Sequence, residues 1–199
     1  LSDLRLVLLG GAAASGKSVS GTEVGGRLGI PCVSADSLWY ALQSVTSRES
    51  HAPFHYFEPT EEEWLRGPDF LCERHIKCAQ SLSPALDTFI DRELKEGHPL
   101  LLEGAWITPE MAARRTCESS DVRAVFIHEP EEASVLASMV ERQNRTSPSE
   151  RQLRLSAMAW RYGNWLREGA RSRGIPVVDA RPRHTLVDRI IAAIEGAAK

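Results

Sequence analysis

The sequence predicts an α/β protein of three layers, a parallel sheet with helices on both faces. Three observations carry that expectation. Five short apolar runs stand apart: "LRLVLL" (4–9), "IPCVSA" (30–35), "PLLLE" (99–103), "VRAVFI" (122–127) and "IPVVDA" (175–180). They are apolar almost throughout and do not alternate, as strands read when both sheet faces are covered. The stretches between them are long enough for the helical crossovers that parallel pairing requires, and such crossovers are right-handed.

From the N-terminus, the first run leads into "GGAAASGKSVS" (10–20), where glycines and alanines replace an ordinary turn. A helix follows over 17–28, stopped by Gly29-Ile30-Pro31. The second run carries Cys32 as a small core residue and ends at Asp36, a possible cap for a helix beginning at Ser37. Residues 47–59, "SRESHAPFHYFEP", have no period and read as an inserted loop. Thr60 and Glu63 form a capping box, with carboxylates matched to the positive helix end. Ser147 and Glu150 form a second, with Pro148 at the first helical position. From there Leu155, Met158, Ala159, Tyr162, Trp165 and Leu166 recur at helical spacing as a core-facing stripe.

The length of 199 residues fits one domain, 1–199, carrying the inserted loop at 47–59 and a lid at about 142–154. No internal repeat or low-complexity block interrupts it. With 42% hydrophobic and 26% charged residues the chain can bury a real core. A formal charge of −3 speaks against a general nucleic-acid binder. Cys32, Cys72, Cys78 and Cys117 form no CxxC pair, so they read as idle thiols of a reducing compartment. The first apolar run is too short for a membrane span and has no signal-peptide cleavage pattern; cytoplasmic residence is the expectation.

The chemistry is concentrated in residues 11–18, "GAAASGKS", which match G-x-x-x-x-G-K-[ST] between a predicted strand and a predicted helix. Gly11 and Gly16 let the backbone bend around a phosphate, and Ala12, Ala13, Ala14 and Ser15 keep the concavity open. Successive amides, through Val19 on the first helical turn, form an anion nest at a positive helix end. Lys17 is expected to reach the β- and γ-phosphates, and the Ser18 hydroxyl to ligate Mg²⁺.

In open α/β sheets ligands bind beyond the carboxyl ends of the strands. Asp36 and Glu103 fall there, a pairing that suits phosphoryl transfer. Asp36 is the expected base or acceptor-orienting group and Glu103 the metal-side or water-ordering one, with the reverse assignment open. Arg142, Arg145, Arg151 and Arg154 surround a polar break between two helices and read as a lid closing over the transferring phosphate. His51, His55, Tyr56 and Phe57 lie on the inserted loop, where substrate binding often resides. His51 and His55 lack a third ligand for a metal. "DARPRHT" (179–185) could stack Arg181 or Arg183 on a base.

Together "GGAAASGKS", "LGIPCVSADSL" and "LLLEGAWITPE" resemble the P-loop small-molecule kinases, most closely the 2-phosphoglycerate kinase-like branch. Gluconate, shikimate and adenylylsulfate kinases belong to the same group, and chloramphenicol phosphotransferases are similar in the first two segments. The resemblance implies a five-stranded sheet of order 2-3-1-4-5, ATP and Mg²⁺, and a lid between the fourth and fifth strands. Onto this chain it carries Gly11, Gly16, Lys17 and Ser18 for phosphate and metal, Asp36 for acceptor chemistry, and the arginines near 142–154 for the lid, with Arg142 and Arg145 the catalytic candidates and the one that reaches the phosphate left open. Trp39, Trp106 and the loop with His51, His55 and Tyr56 give the acceptor side a character of its own, so the acceptor is not carried over.

The expected activity is an ATP-dependent kinase acting on a hydroxyl of a small molecule. A nucleotide or polynucleotide kinase differs in that nucleosides or oligonucleotides should compete. A non-catalytic nucleotide sensor differs in having no acceptor-dependent turnover.

Overall fold

A computed structural model describes residues 4–56 and 58–196. Phe57, named with the loop above, lies outside the described residues.

The expected sheet is present, and the five apolar runs are its strands: β1 (Leu6–Gly11), β2 (Cys32–Ser34), β3 (Leu100–Gly104), β4 (Val122–His128) and β5 (Val177–Asp179). All neighbours are parallel, in the order β2-β3-β1-β4-β5. The helices are α1 (Lys17–Leu28), α2 (Ala35–Ser44), α3 (Glu61–Leu65), α4 (Pro68–Lys95), α5 (Pro109–Glu118), α6 (Glu132–Arg142), α7 (Glu150–Arg171) and α8 (Leu186–Gly196). The expected helix over 17–28 is α1, residue for residue.

Two cores explain why the strands do not alternate in polarity. Leu6, Leu8, Leu100, Leu102 and Phe126 pack under α4, α5 and α7. Val7, Leu9, Leu101, Val125 and Ile127 face the other way, against Val24 of α1 and Leu186, Ile190 and Ile194 of α8. Successive β-residues point to opposite faces, so both parities must be apolar.

The carboxyl ends of the strands share one edge. Glu103 stands level with Leu9 of β1 and with Ser34 of β2, and Gly11 with Ile127 of β4. β1 lies between β3 and β4, so the chain leaving it enters the crevice where strand order reverses. Gly104 lets the β3 end meet the start of α2: a Cβ there would lie 2.6 Å from the Ala35 Cβ. The close approach places Asp36 beside the residues that follow Glu103.

Three local expectations needed adjustment. Thr60 and Glu63 do form a capping box, but α3 lasts five residues before Gly67, at φ 89°, redirects the chain into α4. The second box lies two residues later than "SPSE" suggested. Ser149 Oγ accepts from the Gln152 N–H at 3.2 Å, and the Ser149 N–H donates to Gln152 Oε1 at 2.8 Å. Gln152 is buried and also bonds Gln143 at 3.1 Å, so contact between the α6 end and α7 selects where the helix starts. Asp36 does not cap a helix beginning at Ser37: α2 begins at Ala35 with Ser34 as N-cap, and Asp36 lies in its first turn.

The stripe from Leu155 to Leu166 packs as expected, with Met158, Ala159, Tyr162 and Leu166 buried. Arg154 donates to the Trp64 carbonyl at 3.1 Å and Arg161 to Asp69 at 2.6 Å, tying α7 to the α3–α4 corner. Among the described residues no helix is long and apolar enough to cross a membrane.

Candidate active site

The loop between β1 and α1 curls its own backbone into a concavity. Ala14 (φ 66°) and Gly16 (φ 91°) both take the left-handed conformation, and the Ser15 N–H closes a turn on the Ala12 carbonyl at 3.3 Å. A left-handed alanine costs on the order of 1–3 kcal/mol and persists only when its surroundings enforce it. The Gly16 N–H has no partner among the described residues, and the first amides of α1 lack intrahelical acceptors by construction. These are the elements of an anion nest. Ala12 is buried because Gly163 of α7 passes over it, the Ala12 Cβ lying 3.4 Å from where a Gly163 Cβ would be.

Lys17 is only 7% exposed and makes no ion pair among the described residues. A cation held out of water without a counter-charge is expensive, so the site is built for an anion. The Ser18 hydroxyl donates to Glu103 Oε2 at 3.2 Å, bringing together the two residues expected at the metal. Glu103 is 3% exposed, at the end of β3. Among the described residues no group of three or more His, Cys, Asp or Glu could hold a metal. Mg²⁺ keeps most of its water and takes one or two carboxylates plus substrate phosphates, a ligand set to which Ser18 and Glu103 could contribute.

Asp36 projects from the first turn of α2, and its Oδ1 is buried without a partner among the described residues. Trp39 and Tyr40 follow three and four positions on, the same helix face. They form one wall of a cleft of about 480 Å³, closed by Glu58, Pro59, Thr60, Glu61, Trp64 and Arg151. The Arg151 guanidinium lies over the Trp64 ring at 5.3 Å. Trp106 is buried behind Trp39, their ring centroids 5.0 Å apart.

His51 and His55 are not in that cleft. His51 is exposed against Phe54, while His55 is buried beneath its own loop, 3.2 Å from the Thr46 hydroxyl. Tyr56 lies nearer, in an apolar recess with Trp64 and His75. Arg142 lines a groove with Ala13 and Ala14, and so reaches the phosphate loop from the end of α6. Arg145 is exposed on the turn beyond it. Arg181 and Arg183 both engage buried Glu129, at 3.0 and 3.5 Å, and Arg183 also donates to the Ala14 and Ser15 carbonyls.

Two site residues escaped the sequence reading. Glu129 follows β4 directly, and the strand-end rule that found Asp36 and Glu103 applies to it equally. His75 lies in the buried stripe of α4 with Leu71, Cys72, Cys78 and Ala79; a histidine at that spacing was the available signal. Its ring stacks on Trp106 at 4.6 Å and meets Tyr162 edge-on at 4.2 Å. The Tyr162 hydroxyl in turn donates to the Ala105 carbonyl at 2.6 Å, bracing the segment after Glu103.

Burial, with the Lys17 ammonium nearby, pushes His75 down to about 3. An unfolded chain takes up this proton near the ordinary value of about 6.5, whereas the folded one refuses it until much lower pH. Stability is therefore lost as pH falls through that window. Going from about pH 7 to about pH 5 should cost about 2 kcal/mol through His75 alone. Denaturant midpoints at the two pH values check this: His75→Phe should remove most of the difference, and an undiminished slope would contradict it.

Three of the four cysteines are shielded from solvent chemistry. Burial pushes Cys32 and Cys72 up to about 11 and Cys78 to about 12, which keeps them as thiols.

A parallel sheet in this order, with a glycine-rich loop entering its central crevice ahead of a helix, defines the P-loop class of folds. No family model matches the chain. It is similar to the 2-phosphoglycerate kinase of Methanocaldococcus jannaschii, 28% identical over 195 residues, covering 95% of this chain and 62% of that protein. Its likeness to the 2-phosphoglycerate kinase of Thermococcus kodakarensis is 27% over 191 residues, covering 94% and 64%. The chain thus spans less than two thirds of these curated relatives. Among solved structures it is similar to a gluconokinase from Sinorhizobium meliloti (TM-score 0.55, 15% identity, 96% of this chain and 92% of that one). A shikimate kinase from Acinetobacter baumannii in complex with shikimate gives a TM-score of 0.54 at 14% identity, covering 97% and 94%. At such identities the structural likeness is one of fold. In sequence the chain is thus similar to 2-phosphoglycerate kinases, and in fold to P-loop small-molecule kinases.

Proposed function

We propose that this protein is an ATP-dependent phosphotransferase that moves the γ-phosphate of Mg²⁺-bound ATP to a hydroxyl of a small molecule. One observation carries the reading: Lys17, buried without a counter-charge, stands at the head of α1 behind a loop whose open amides face the same crevice as Ser18 and Glu103.

Each group has a task in that reaction. The loop amides and Lys17 hold the triphosphate and stabilise charge where it develops on the β- and γ-oxygens. Ser18 and Glu103 would hold Mg²⁺, which when bound supplies neutralisation of the phosphate oxygens. Asp36 orients the acceptor hydroxyl and receives its proton, the task for which an unpartnered carboxylate oxygen, one helical turn before the cleft residues Trp39 and Tyr40, is suited. Trp39, Tyr40 and Trp64 offer flat apolar faces to the rest of the acceptor, with Glu58, Glu61 and Arg151 at the polar rim. Arg142, already beside the phosphate loop, and Arg145 on the following turn close over the transferring group and exclude water. Most of the rate then comes from positioning and fixed charges, with no covalent intermediate on the protein.

The test is a phosphorylation screen of a metabolite library read by mass spectrometry, alongside ATP titration with and without Mg²⁺. Magnesium-dependent ATP binding and ADP release that requires one class of hydroxyl compound are expected. ATP binding without any acceptor-dependent turnover would remove the transferase and leave a nucleotide sensor.

A further inference from the structure

Arg183 has a place in the fold that the proposed reaction does not use. It lies on the short 3₁₀ turn Arg183–Thr185 after β5, far along the chain from the phosphate loop. Its Nη2 donates to the Ala14 carbonyl at 2.7 Å and its Nη1 to the Ser15 carbonyl. The buried Glu129 carboxylate faces the same guanidinium at 3.5 Å and the Arg181 side chain at 3.0 Å. Gly16 makes room for this arrangement: a Cβ there would collide with Nη1 of Arg183.

In a planar trans peptide the carbonyl and the following N–H point in opposite directions. Holding the Ser15 carbonyl outward therefore turns the Gly16 N–H, which has no protein partner among the described residues, into the concavity. Fixing the Ala14 carbonyl orients the Ser15 N–H onto the Ala12 carbonyl, closing the turn that carries the Gly16 amide. The planar guanidinium holds the two carbonyls through separate nitrogens in a rigid fork, a geometry that a flexible lysine ammonium does not fix. Both residues flanking these peptides, Ala14 and Gly16, are left-handed, so the loop conformation needs an outside restraint.

We propose that Arg183 is a positioning residue: a clamp, anchored by Glu129, that turns the phosphate-loop amides inward before nucleotide arrives. The clamp rests on the reading of this loop as a triphosphate cradle. It differs from base stacking in its target: stacking would use the planar face of the guanidinium on the base, whereas the clamp acts through in-plane N–H groups on the loop that holds the phosphate chain. Inorganic tripolyphosphate, which has no base, separates the two roles.

The experiment titrates Mg²⁺·ATP and Mg²⁺·tripolyphosphate into the protein and into Arg183→Ala. Losing two charge-assisted bonds to the loop should weaken both ligands alike, by roughly 10- to 100-fold. KM for ATP should rise while KM for the acceptor holds. Weakened ATP with unchanged tripolyphosphate makes Arg183 a base platform and overturns the clamp, as does unchanged affinity for both. If the unaltered protein binds neither ligand, the cradle reading and the clamp fall together. Should Arg183→Ala melt below the assay temperature, Arg183→Lys decides. One ammonium reaching one carbonyl should keep the fold and give intermediate tripolyphosphate affinity with a displaced Gly16 amide resonance; full affinity with an unmoved resonance overturns the proposal.

Discussion

Lys17→Ala should lower kcat by on the order of 10²–10³-fold or more, with ATP affinity also reduced. The magnitude follows from where the ammonium lies. A fixed charge in water is screened and worth little, but Lys17 is 7% exposed and lacks an ion-pair partner among the described residues. Its full field is therefore available to the negative charge that gathers on the transferring group. The substitution also removes the positive neighbour that helps hold His75 neutral, so the pH dependence of stability should soften slightly in the same variant. Steady-state kinetics and a pH series of denaturation curves check the two effects. Turnover equal to that of the unaltered protein would remove the cradle from the mechanism.

The parts legible in the sequence are those that local patterning dictates. Each strand was visible because parallel strands covered on both faces have no polar parity to hide them. Lys17 opened α1 as read, since the glycine before it and Gly29 after it bound the helix on both sides. What was illegible depends on contacts between distant segments. Nothing near Ser147 announces that Gln152 will be buried against Gln143, yet that contact moves the start of α7 by two residues. α4 runs through Pro84 as a single helix of 28 residues, a length set by its packing and not by local propensity. The same limit applies at the site. Ala14 was assigned to keeping the loop open by small size, whereas its φ of 66° makes it one of the two left-handed residues that shape the loop. His75 becomes a site residue only when α4 is laid beside the crevice, whereas Glu129 stands at a strand end, where the rule that finds Asp36 and Glu103 applies.

Asp36→Asn is expected to leave Mg²⁺·ATP affinity within about twofold while reducing kcat by roughly 10²–10⁴-fold, the usual range for a positioned general base. Asparagine preserves the volume and the hydrogen-bonding reach of the side chain but cannot take a proton. Ser34, and not Asp36, is the N-cap of α2, so no cap is lost and the fold should keep its stability to within about 0.5 kcal/mol. That separation is what gives the variant its value. Were Asp36 chiefly structural, its buried Oδ1 would be paired; it has no partner among the described residues, which costs stability unless a ligand supplies one. In the proposed reaction the acceptor hydroxyl is the donor to that oxygen, one helical turn before Trp39 and Tyr40. Acceptor binding and kcat should therefore both respond while nucleotide binding does not. A kcat unaltered in Asp36→Asn, with the acceptor bound as before, would pass the proton-accepting role to Glu103, whose carboxylate already takes a hydrogen bond from Ser18. In that case Glu103→Gln should abolish turnover without the loss of Mg²⁺ dependence that a purely metal-side role predicts.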